Sequence, residues 1–132
     1  MHVTVTGAGG FIGRRLVREL LRRGTIRAPG GTAARVEKVV ACDVSLAGLG
    51  DDDPRLARVE ADVSDPAVLP RVVTSQTGAL FHLAAVVSVG AEEDFELGMR
   101  VNFDTTRALL DACRRACPNA RGSLDMNRRS GL

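Results

Sequence analysis

Residues 3–17, VTVTGAGGFIGRRLV, constrain this chain more than any other stretch. Gly7, Gly10 and Gly13 recur at every third position, directly after a short β-branched run and at the start of an amphipathic segment. His2–Thr6 reads as a buried strand. Phe11–Arg23 reads as a helix: Ile12, Leu16, Val17, Leu20 and Leu21 recur at helical spacing, and arginines with Glu19 fill the other face. Gly24 is its expected stop. Between a strand and a helix, each glycine of the turn has a job. Gly7 can turn the chain sharply as it leaves the strand, Gly10 lets a pyrophosphate approach a backbone without a Cβ, and Gly13 brings the helix close to the sheet. The helix N-terminus then offers unpaired N–H groups and a partial positive charge to phosphates. A glycine-rich turn without a ligand is the alternative, and the rest of the chain must decide between them.

A second strand, Glu37–Cys42, ends at Asp43, where a carboxylate can accept from ribose hydroxyls. An acid there also repels the 2′-phosphate of NADP, so NAD is favoured, and Arg14 and Arg15 read as a solvated helix face. Asp43 lies about thirty residues past Gly13, longer than the roughly 20-residue spacing usual for this motif, and the Gly/Pro/Thr-rich residues 25–35, read as a loop, account for the excess. Residues 44–57 read as a polar connection whose acidic run Asp51–Asp53 is a solvated turn. A third strand, Leu56–Ala61, ends at Asp62–Val63, where a carboxylate can accept from the amine of adenine. Ser64-Asp65-Pro66 is a helix start, and Pro70 keeps that helix short or kinked. Ala79–Ala84 is a fourth strand, followed by a helix from about Glu92 to about Arg115 in which Gly98 marks a bend. The order β-α-β-β-α-β-α implies an α/β fold with a parallel sheet in the strand order 3-2-1-4.

At 132 residues the chain has room for one domain. No run of eighteen apolar residues or signal-peptide pattern is present, so a cytoplasmic protein with no membrane partner is expected. Residues 114–132 carry five basic side chains and one acidic, but without interleaved aromatics they make no nucleic-acid arm. Cys42, Cys113, Cys117, His2 and His82 lack ligand spacing, so the cysteines read as small buried residues and no metal is expected.

Together, TGAGGFIG, the Asp43 strand end, Asp62–Val63, HLAA at 82–85 and VNFDTTRALLDAC at 101–113 resemble the extended short-chain dehydrogenase/reductase family, which includes NAD-dependent epimerases and dehydratases, over about residues 2–115. The resemblance implies a Rossmann-type doubly wound sheet and NAD as cofactor. It places Gly7, Gly10, Phe11, Ile12 and Gly13 at the pyrophosphate, Asp43 at the adenosine ribose, and Asp62 and Val63 at the adenine. Leu83, Ala84 and Ala85 would line the nicotinamide-side ribose, and Asn102 would help organise the active site. The stretch 82–113 is similar to members that oxidise a four-carbon sugar acid at its 2-hydroxyl with NAD, so a small-molecule substrate is implied; nucleotide-sugar epimerase or dehydratase chemistry and a non-catalytic NAD-binding module are the alternatives. One departure is Thr105, where the family pattern VNxxGT has glycine.

The resemblance also implies a fifth strand, a catalytic Ser or Thr, and a Tyr-x-x-x-Lys pair that exchanges a proton with the substrate hydroxyl. The chain contains no tyrosine, and its one lysine, Lys38, falls in the second strand. The tail 118–132 shows no strand alternation and reads as disordered or out of frame, leaving an incomplete cofactor domain over 1–117 without catalytic residues. The fourth strand is then expected to lie open at a sheet edge, available for self-association.

Overall fold

The computed structural model describes residues 1–27, 31–50, 52–84 and 95–117, and the backbone of 124–126. β1 (His2–Thr6) leads through the glycine turn into α1 (Phe11–Arg23). A small hairpin follows, β2 (Thr25–Arg27) and β3 (Ala33–Arg35), then β4 (Lys38–Asp43) and β5 (Leu56–Glu60). A 3₁₀ turn at Pro66–Val68 runs into the one-turn α2 (Leu69–Val72). β6 (Thr77–His82), α3 (Phe95–Ala116) and β7 (Leu124–Met126) complete the order. The sheet runs β5-β4-β1-β6-β7 with every pairing parallel. Its four longer strands stand in the expected order 3-2-1-4.

Strand residues alternate between two cores, as the two-residue side-chain period requires. Val3, Val5, Val39, Ala41 and Ala79 face the layer of α1, where they meet Val17, Leu20 and Leu21. Val40, Cys42, Val59 and Leu80 face the opposite layer with Val72 of α2 and Leu109 of α3. The apolar run HVTVT is therefore buried on both faces, and its threonines need partners there. Thr4 Oγ1 donates to the Val72 carbonyl at 2.6 Å. Gly24 ends α1 in the left-handed conformation (φ 66°), its N–H donating to Leu20 O at 3.0 Å. Pro66 and Pro70 keep the 3₁₀ turn and α2 short, and Asp65 caps the turn by accepting from Ala67 N–H at 3.0 Å.

Three expectations are corrected. Part of residues 25–35 pairs as the antiparallel β2–β3 hairpin, with Thr25 opposite Arg35. The 44–57 connection is not merely polar, because Leu46 and Leu49 are fully buried beside Val17 and Leu21 and do on that face the work of a crossover helix. Gly98 lies inside a continuous α3, in a buried position. Lastly, β6 is not an open edge: Leu80, Phe81 and His82 pair in register with Leu124, Asp125 and Met126. No helix among the described residues is long and apolar enough to cross a membrane.

Candidate cofactor site

Because β1, β4, β5 and β6 are parallel, their carboxyl ends share one edge, and the segments leaving them meet there. Such an edge, at the point where the connections diverge to opposite faces, is the usual ligand crevice of an α/β sheet.

The turn after β1 is built on close backbone contacts. Gly7 has φ +71°, and a Cβ there would stand 2.7 Å from both Ala84 N and the Leu83 carbonyl carbon. Gly13 presses the first turn of α1 onto this bend: a Cβ would run into the Gly7 carbonyl and lie 2.8 Å from Ala8 Cα. Gly10 differs. It is exposed, with φ −73° and ψ 171°, and the nearest atom to a Cβ would be Gly7 O at 3.4 Å. Among the described residues nothing forbids a side chain there, so the face of Gly10 is left open to a ligand. Gly10 is also the N-cap of α1, no side chain caps the helix, and the first turn carries no acid. An uncapped helix N-terminus behind an open glycine suits an anionic group such as a pyrophosphate.

Asp43, at the end of β4, reaches back to this turn. Its Oδ2 accepts from Gly9 N–H at 2.9 Å and its Oδ1 from Val44 N–H at 2.7 Å. A carboxylate oxygen has two lone pairs, so each can still accept from a hydroxyl. Gly9 is a site residue that the three-residue glycine spacing passes over. A Cβ on it would run into the Ser45 carbonyl, so the signal was the doubled glycine at 9–10, one more than the motif needs. Of the apolar rim Val44 was passed over, while Phe11 and Ile12 are residues that the resemblance places at the pyrophosphate. Phe11 and Val44 are each 70% exposed and Ile12 is 56% exposed, although Ile12 fits the helical stripe. Arg15 lies over the Phe11 ring, 5.9 Å from its centroid.

Asp62 and Val63 follow β5, whose last residue Glu60 stands in register with Asp43. Asp62 Oδ1 accepts from both the N–H (2.9 Å) and the hydroxyl (2.7 Å) of Ser64, and these bonds hold its carboxyl below the ordinary carboxylate range. Val63 is half-buried against the α2/α3 core.

At the end of β6, Leu83 N–H donates to Thr6 O at 3.1 Å and Ala84 N–H to Thr6 Oγ1 at 3.4 Å. Thr6 Oγ1 lies 2.7 Å from His82 Nδ1, and burial pushes the imidazole pKa down, favouring the neutral ring. Ala85 lies outside the described residues. Asn102 is half-buried on α3 and its carbonyl accepts from Thr106 Oγ1 at 2.9 Å. Thr105, the departure from the family pattern, is accommodated in a buried position. The structure thus brings Gly7, Gly10, Gly13, Asp43, Leu83 and Ala84 together around one turn, puts Asp62 and Val63 at the same edge, and leaves Asn102 on a separate element.

The family model for the NAD dependent epimerase/dehydratase family matches residues 3–122. D-erythronate dehydrogenase of Cupriavidus necator is 52% identical over 114 residues, 86% of this chain and 35% of that enzyme. D-erythronate dehydrogenase of Haemophilus influenzae is 36% identical over 121 residues, 92% of this chain and 36% of that enzyme. The chain therefore spans about a third of the length of these curated relatives. Among solved structures, a dTDP-glucose 4,6-dehydratase of Streptomyces venezuelae with NAD bound superposes with a TM-score of 0.69 at 30% identity, over 88% of this chain and 36% of that one. A nucleoside-diphosphate-sugar epimerase of Agrobacterium tumefaciens gives 0.65 at 38% identity, over 88% and 33%. With its glycine turn, its strand order and these matches, the chain belongs to the NAD-dependent epimerase/dehydratase family.

Proposed function

We propose that this chain is the NAD-binding part of an NAD-dependent oxidoreductase that acts on the CH–OH group of a sugar acid such as D-erythronate. The observation that carries the cofactor half is the open face of Gly10 at the uncapped N-terminus of α1. In this reading the α1 N–H groups hold the pyrophosphate and Phe11 and Ile12 flank it. Asp43 accepts from the adenosine ribose hydroxyls, Asp62 and Val63 take the adenine, and Leu83 to Ala85 line the other ribose. Asn102 belongs to the active-site side. NAD, when bound, supplies a hydride acceptor. The substrate class is supported by the two D-erythronate dehydrogenases above.

Proton transfer is another matter. The 132 residues contain no tyrosine. Lys38 opens β4, at the end of the sheet opposite the site and roughly 16 Å along the strand from Asp43. We therefore expect the chain on its own to bind NAD and not to turn over substrate. A second reading, a nucleotide-sugar epimerase or dehydratase, is favoured by the 38%-identical epimerase structure.

Isothermal titration of the chain with NAD, with NADH formation followed in the presence of D-erythronate, tests the proposal. Saturable NAD binding without turnover is expected. No binding refutes the cofactor reading, and turnover refutes the inactivity. UDP-glucose that deepens NAD binding where D-erythronate does not would favour the second reading.

A further inference from the structure

Among the described strands the sheet ends at β5 on one side and at the shorter β7 on the other. Arg55 O accepts from Val39 N–H at 2.9 Å, and Ala61 N–H donates to Asp43 O at 2.9 Å, so both turn their backbone groups to β4. Backbone groups alternate in direction along a strand. Those of Ala57 and Val59 therefore also face β4, and those of Arg58 and Glu60 point away from the sheet. The side chains alternate as well. Ala57, Val59 and Ala61 belong to the α2/α3 core, whereas Arg58 and Glu60 are exposed on the opposite face.

An end strand of this kind can take a further strand, and its charge pattern selects which one. Two β5 strands related by a two-fold axis at Val59 run antiparallel. Arg58 then stands opposite Glu60 of the second copy, and Glu60 opposite its Arg58. Both positions point outward, so each pair can exchange N–H···O=C bonds in both directions. Opposite charges face each other with Cβ atoms about 5 Å apart. On the other face Val59 meets Val59 and Ala57 meets Ala61, small apolar residues that let the two cores adjoin. The neighbouring registers that keep outward groups facing each other set Arg58 against Arg58 or Glu60 against Glu60, which repulsion disfavours. The side chains can serve the contact. Arg58 Nη1 reaches Leu46 O at 3.5 Å and Glu60 Oε1 accepts from Leu46 N–H at 2.9 Å, and a carboxylate can accept further bonds. A cavity of about 430 Å³ beside both, lined also by Leu46, Ala47 and Gly50, gives them room to turn.

We propose that β5 is a self-association edge, at which two copies of this chain join strand to strand in an antiparallel register set by Arg58 and Glu60 and centred on Val59. The contact is small, so the dimer is weak and forms at about 0.01–1 mM. The inference is independent of the NAD reading.

Sedimentation equilibrium of the full chain tests it, with circular dichroism to check that each variant is folded. Arg58→Glu and Glu60→Arg each put like charges opposite one another and should raise the dimer Kd by about tenfold or more. An equimolar mixture of the two sets an acid against a base in both pairs and should recover association, as should the chain carrying both exchanges. Phe103→Glu, on the exposed side of α3, should leave association unchanged. A wild type that stays monomeric to about 1 mM overturns the proposal. So does a dimer that survives both reversals, a mixture that stays monomeric, or a dimer abolished by Phe103→Glu. If a reversed variant does not fold, wild type alone decides by NMR: amide shifts that move with concentration at residues 57–61 support the edge, and shifts confined to other residues overturn it.

Discussion

Gly7 and Gly10 belong to one motif, yet alanine at each should fail in a different assay. At Gly7 the backbone sits at φ +71°, where an L-residue pays about 1–2 kcal/mol. The added Cβ would also stand 2.7 Å from Ala84 N and from the Leu83 carbonyl carbon, backbone atoms held in place by their own hydrogen bonds. Forcing a methyl into a packed site costs about 1–3 kcal/mol more. Gly7→Ala should therefore lose about 2–5 kcal/mol of stability. At Gly10 the backbone is extended and a Cβ meets only Gly7 O at 3.4 Å, so the loss is that of a poorer N-cap, about 0.5–1 kcal/mol. The same methyl would, however, face the proposed pyrophosphate. Urea denaturation followed by circular dichroism, alongside NAD calorimetry, separates the two. Gly7→Ala should lower the denaturation midpoint markedly. Gly10→Ala should leave it close to wild type and weaken NAD binding by about tenfold or more. If Gly10→Ala binds NAD as wild type does, or if Gly7→Ala is as stable as wild type, the division between a fold glycine and a ligand glycine is wrong.

Further outcomes follow from single contacts. Asp43→Asn turns an amide NH₂ toward either Gly9 N–H or Val44 N–H, both of which donate to Asp43, so NAD affinity should fall about tenfold by calorimetry. Leu109→Ala removes the fully buried side chain that fixes α3 to the sheet and should cost about 2–5 kcal/mol in urea, as should Leu49→Ala beneath α1. Arg55 grips both oxygens of Asp53 (2.7 and 3.0 Å) and also donates to Leu21 O, holding the Asp53 carboxyl down to about 2. A carboxyl whose folded pKa is depressed contributes stability above its unfolded pKa and loses it as pH falls through the folded value. The wild-type melting temperature should therefore fall between about pH 4 and 2, and the Arg55→Met variant should show a shallower fall over that window.

The parts of the site that lie along one strand or helix were legible in the sequence, because strand period, helix period and glycine spacing are local. β1, α1 and the ends of β4 and β5 follow from those patterns, as does the brevity of α2 from Pro66 and Pro70. What depends on another segment was not legible. Leu46 and Leu49 look like scattered apolar residues in a polar loop, and only the groove left by α1 makes them core. Ile12 fits the apolar stripe but stands at the end of the helix that overhangs the crevice, so it is exposed. Gly9 is required by the Ser45 carbonyl, a contact across 36 residues that no local spacing encodes. β7 is three residues long and owes its extended form to pairing with β6, so no alternation announces it.

β1, the first strand of the chain, is also the central one: its partners begin at Lys38 on one side and Thr77 on the other. Ribosomes deliver chains in order, so the glycine turn leaves the exit tunnel before the strand ends it packs against. It waits for the β4 strand end to supply Asp43, and longer for Leu83 and Ala84. Closing such distant pairs is entropically slow, and parallel strands offer no tight hairpin to begin from. During synthesis the emerging HVTVT segment is an unpaired apolar strand. The order of translation thus holds back the candidate cofactor site until both β4 and β6 have emerged, although its signature is written before either.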